Sequence, residues 1–209
     1  GATNALNTVL VSQSGGTTFG GAVKAATVTL TDTTGDIIFN GALTAGTLNT
    51  AAQDYNVAIN AGGTVTSAAT FSNTGTVTLG NAAADNLAFT AGVTATAPSS
   101  KSIAGTISAA GVGVINLGTT AVSVTDDATV GGASTGAITL GATTIADGKT
   151  LTVGAGAATP ITIASVDNIT TVNSSNLTIN TTGAAGVTTT TGATNALNTV
   201  LVSQSGGTT

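Results

Sequence analysis

An apolar residue, a small or polar residue and a second apolar residue recur along most of the chain. The pattern appears at Val28-Thr29-Leu30, Ile37-Ile38-Phe39, Val57-Ala58-Ile59, Val77-Thr78-Leu79 and Leu87-Ala88-Phe89. It returns at Val114–Leu117, Val122-Ser123-Val124, Ile138-Thr139-Leu140, Leu151-Thr152-Val153, Ile161-Thr162-Ile163 and Leu177-Thr178-Ile179. Period-two alternation turns the two apolar residues to one face and the middle one to the other, which predicts short strands with one buried face. The starts at 37, 57, 77 and 87 suggest a coil of about 20 residues with a strand about every 10. Later spacing is looser. Gly-Ala, Asn-Gly, Gly-Gly and Asp-Gly pieces lie between the strands and predict corners. No apolar stripe of helical period persists for three turns.

Strands of three to five residues cannot hold themselves in water and need neighbours stacked on them. The expected fold is therefore all-β, a right-handed parallel β-helix (β-solenoid) of about 20 residues per coil with short strands on two or three parallel sheets. Tandem β-sandwich domains are the alternative. They would need longer strands and usually a large central aromatic, and this chain has no Trp and one tyrosine, Tyr55.

Residues 1–18, GATNALNTVLVSQSGGTT, recur identically at 192–209. This divides the chain into one full repeat unit, 1–191, and the start of the next identical one, 192–209. The expected partners are then further copies of the same repeat in cis, in a homo-oligomer, filament or sheath.

Composition narrows the chemistry. The 209 residues include 47 Thr, 37 Ala and 29 Gly, but only three Lys and eight Asp, with no Arg, Glu, His, Cys, Met or Trp. Imidazole bases, thiolates and zinc centres are excluded. Nucleic-acid binding lacks an electrostatic basis, because the net charge is −5 and the cations are few. No run of 18 apolar residues exists to predict a membrane span. The absence of Cys suits a protein that folds outside the cell without disulfides, and scarce Lys leaves few sites for trypsin-like proteases.

In cadence and composition, GTVTSAATFSNTGTVTLGNAAADNLAF (63–89) and STGAITLGATTIADGKTLTVGAG (134–156) resemble the repetitive passenger and stalk regions of large bacterial surface proteins. These include autotransporter and filamentous-haemagglutinin-like adhesins and surface-layer-like proteins. The resemblance implies export, an extracellular or cell-surface location, a parallel β-helix, and a role as stalk, adhesin or surface-layer material, and it supplies no catalytic motif. The chain lacks the GGxGxD nonapeptides of calcium-binding relatives.

The expectation is thus a non-enzymatic structural repeat with no catalytic or cofactor-binding residue. The alternative is an adhesin module that binds a host surface or a polysaccharide, centred on Gln53, Asp54 and Tyr55. The metal candidates are the adjacent Asp126 and Asp127, expected at an exposed corner between strands with no lysine near, where calcium would need further oxygen ligands. Asp32 and Asp36 form a second carboxylate pair. Pieces such as Thr27/Thr29, Thr64/Thr66 and Thr94/Thr96 do not recur at one fixed coil position, so no long regular two-dimensional threonine array is expected. Asn40, Asn60, Asn73 and Asn176 are expected to stack between coils at turns.

Overall fold

The computed structural model describes residues 3–31, 34–187, 194–204 and 206–208, the side chains of Val187, Gln204 and Thr208 excepted. Asp32 and the 191/192 unit boundary lie outside these residues. The described residues form a right-handed β-solenoid whose strands pair in parallel, those between the terminal coils each with a strand of the coil before and the coil after. All eleven triplets above lie in or along these strands.

The solenoid has three sides, visited in fixed order. On the first, inward positions stack as Val9, Val28, Leu48, Ala69, Val93, Ile115, Ile138, Ile161 and Ala185. The second stacks Thr17, Ile37, Val57, Val77, Lys101, Val122, Thr143 and Val166. The third stacks Val23, Leu43, Gly63, Leu87, Ile107, Val130 and Val153. Each parallel pairing satisfies the backbone of two coils and also places like residues over one another, so burial and hydrogen bonding select one register.

Corners are visible in the burial pattern. In Val23–Leu30 the buried residues are Val23, Ala25, Val28 and Leu30, and the two consecutive outward positions between Ala25 and Val28 mark the turn from the third side to the first. At Gly62-Gly63, φ values of +74° and +136° bend the chain tightly. A Cβ on Gly63 would lie 2.0 Å from the Leu43 carbonyl oxygen, so only glycine lets the two coils approach there.

The early coils keep the 20-residue step, visible also in side chains. Asn60 Nδ2 donates to Asn40 Oδ1 at 2.9 Å and Asn56 Nδ2 to Asp36 Oδ1 at 2.7 Å, both 20 residues apart. Asn198 Nδ2 donates to Asn176 Oδ1 in the same way at 2.9 Å. Later steps lengthen as corners gain residues. The interior is built mainly from Val, Ile, Leu and Ala, with Phe19 stacked on Phe39 at 4.8 Å and Phe71 edge-on to Phe89 at 6.2 Å.

Candidate functional site

The carboxylate pair Asp126/Asp127 turns the corner between the second side, at Val122 and Val124, and the third, at Val130. Both residues belong to the strand Ala121–Gly132, at a bulge where Thr125, Asp126 and Asp127 face the single residue Ala104 of the previous coil. The extra residues push the backbone outward, leaving Asp127 exposed and Asp126 partly covered. A coil step of 23 residues brings Lys149 alongside, with its Nζ 2.6 Å from Asp126 Oδ1. The expectation of no lysine near this pair is therefore corrected. The Lys149 hydrogen bond, followed by that of the Asp127 amide, holds Asp126 below the usual carboxylate range, and the same contact raises Lys149. Asp126 Oδ2 also accepts from the Ala83 amide at 3.2 Å, and Asp127 Oδ1 from the Thr150 amide at 2.8 Å. Beside them is a shallow hollow of about 270 Å³, lined by Ala83, Gly105, Thr106, Asp127, Thr129 and Thr150 among others. Among the described residues no three of His, Cys, Asp or Glu converge as a metal cage would require.

Gln53, Asp54 and Tyr55 share one corner but differ in exposure. Gln53 and Asp54 face solvent, whereas Tyr55 is 1% exposed. The Tyr55 hydroxyl donates to the Leu30 carbonyl at 2.8 Å and accepts from the Ala51 amide at 2.9 Å, tying two coils together. Burial raises its pKa above the ordinary tyrosine value. A molecule approaching this corner therefore meets Gln53 and Asp54, with the ring behind them.

Two groups carry chemistry that composition and spacing did not single out. Asp147, on an exposed Asp-Gly turn, accepts from Thr170 Oγ1 at 2.6 Å, Thr171 Oγ1 at 2.7 Å, the Thr171 amide at 3.0 Å and Ser174 Oγ at 3.2 Å. These bonds, with Thr170 first, hold its carboxyl far below the usual range and pin the turn of the following coil. Lys101 is the second. It points into the core between Val77 and Val122, is 2% exposed, and donates to Thr120 Oγ1, which donates in turn to the Pro98 carbonyl at 2.9 Å. Burial lowers its pKa from 10.5 to about 8.

The threonines are more ordered than their spacing indicates. Thr29, Asn49, Thr70, Thr94, Asn116, Thr139 and Thr162 form one outward column on the first side, because lengthened corners absorb the irregular spacing. The ladder is polar, and no fixed sequence interval reveals it.

The ends of the solenoid are the remaining surface of note. At the opening end, a cavity of about 400 Å³ is lined by Leu6, Val9, Phe19, Val23 and neighbouring residues. The recurring 18-residue segment is seen twice. In the strand Leu6–Val11 it carries the next coil on one edge, through Val9 to Val28 and Val11 to Leu30. In Thr199–Gln204 the same residues rest on the previous coil by the other edge, through Val200 to Leu177 and Val202 to Ile179. Val11, covered by that next coil, is 6% exposed, while its copy Val202 is 41% exposed.

Among the described residues no helix is long and apolar enough to cross a membrane. The described residues form a regular β-solenoid scaffold, and no catalytic constellation is recognisable among them. Comparison with protein-family models, with curated proteins and with solved structures gives no match.

Proposed function

We propose that this chain is a structural, non-enzymatic section of a long extracellular rod, a fibre, stalk or surface layer of a bacterial cell, in which identical units follow one another as one continuous solenoid. The observation that carries this reading is the recurring segment docked by each of its edges with the same valines inward. Each edge accepts a coil, so one copy can lie between the closing coils of one unit and the opening coils of the next. The interior is then uninterrupted, and the apolar residues at the ends, Leu6 at 48% and Val200 at 53% exposure, gain cover. Resemblance to surface-protein passengers, the lack of Cys and the scarcity of Lys all support a place outside the cell.

The test is association of the full chain. Sedimentation over a range of concentrations should show growing species, and electron microscopy should show rods of constant width lengthened end to end. A strictly monomeric chain with both terminal coils protected from hydrogen exchange, or compact globular dimers, would refute continuous stacking.

A further inference from the structure

We propose that successive units of the rod are turned by one third of its circumference, so that three units pass before a surface feature returns to the same face. This rests on the tandem reading above and specifies its junction.

In the first copy, Val9 and Val11 lie over Val28 and Leu30, on the first side. That side's inward column continues through Leu48, Ala69, Val93, Ile115, Ile138 and Ile161 to Ala185. In the second copy the equivalent Val200 and Val202 lie on Leu177 and Ile179, which cap the third-side column through Leu151 and Val153. The strand that follows agrees. Thr17 begins the second-side column on Ile37, but its copy Thr208 lies on Ala185, on the first side. Both strands of the segment have moved by one side, in the same direction.

The chain visits the sides in the order first, second, third. From Val9 to Ala185 it completes eight coils, and Val200 stands two sides further on. A unit of 191 residues therefore advances about eight and two-thirds coils, at about 22 residues per coil. Val200 follows Ala185 too closely in sequence to have gone round again.

The first-side columns of one unit thus run into the second-side columns of the next. The outward ladder ending Thr139, Thr162, Gly186 would meet Thr18, Ile38 and Ala58, so the polar column stops at each junction and resumes on another face. The Asp126–Lys149 bulge and the Asp147 turn likewise appear on three faces in rotation. At about 4.8 Å per coil, three units return to the starting orientation after about 125 Å. Such a rod offers the same chemistry in three directions, which fits a free-standing fibre with neighbours on every side better than a one-sided sheet.

Introduced cysteine pairs test the junction within the full chain, which has no cysteine of its own. In the rotated register Thr178 and Leu201 are outward neighbours, a spacing that a disulfide can span. If the unit held a whole number of coils, Leu201 would instead lie over Gly186, the outward position above Thr162. Thr178→Cys with Leu201→Cys should therefore close on mild oxidation, with loss of free thiol and a linked peptide by mass spectrometry, while Gly186→Cys with Leu201→Cys should stay open. Thr152→Cys with Thr178→Cys, neighbours inside the solenoid, is the positive control. Closure of the Gly186 pair in place of the Thr178 pair would overturn the rotation and leave tandem stacking intact. Failure of both while the control closes would overturn the rotation together with tandem stacking.

Discussion

The lysine in the core gives the sharpest prediction about stability. Lys101 occupies an inward position between Val77 and Val122, and its ammonium has Thr120 Oγ1 as its hydrogen-bond acceptor. Replacing it with Met keeps the length and removes the charge. The lowering of its pKa from 10.5 to about 8, at about 1.4 kcal/mol per pH unit, corresponds to a burial cost on the order of 3 kcal/mol. The sign follows from proton counting. Below about pH 8 both folded and unfolded chains hold the proton and the folded state bears the whole cost. Between about 8 and 10.5 the unfolded chain binds more protons, so stability rises with pH. Lys101→Met should therefore be more stable than the parent near neutral pH by an amount of that order, and the two should converge as pH rises. Urea denaturation followed by far-ultraviolet circular dichroism between about pH 7 and 9.5 measures this below the range where Tyr55 ionises, since burial keeps that phenol protonated beyond its ordinary value. A parent whose stability is flat across this window, or a Met variant less stable than the parent at neutral pH, would refute the reasoning and mean that the ammonium keeps its water.

Tyr55→Phe removes two hydrogen bonds but leaves the Ala51 amide donating to the Leu30 carbonyl, so it should cost about 0.5–1.5 kcal/mol in denaturant titrations. Gly63→Ala should be worse, at about 3 kcal/mol or more, because its Cβ would collide with the Leu43 backbone at a positive φ; loss of soluble β-rich protein is the readout. Asp147→Asn should speed hydrogen exchange of the Thr171 amide. The parent should keep that protection until the pH falls well below the ordinary carboxylate range, because the contribution of a depressed carboxyl is present above its unfolded pKa and lost as pH falls through the folded one. Replacing Asp126 and Asp127 together with Asn should change thermal unfolding little, with or without a chelator; a chelator-sensitive parent and an insensitive variant would instead establish a calcium site there.

The alternation of Val, Ile, Leu and Phe with small polar residues determined by itself that short strands form and which residues they bury. Side-chain period and the cost of leaving apolar surface in water act within a few residues, so each of the eleven triplets marks a strand. Asn and Gly at the corners were equally legible, since Asn60 over Asn40 follows from a constant 20-residue step. The weaker strands were hidden because their inward positions hold Ala25, Ala45, Ala69 or Lys101, residues that are buried by their neighbours rather than by their own hydrophobicity.

The stacking of the coils sets everything that depends on the accumulated length of the corners. Coils of unequal length determine which residues come to lie above which, and no local pattern records that sum. This is why Lys149 meets Asp126, why Asp147 gathers Thr170, Thr171 and Ser174, and why scattered threonines form a single column. For the same reason the 18-residue repeat was plain in the sequence but its side of the rod was not. Two identical segments have identical local preferences, and only the coils stacked between them place one on the first side and the other on the third.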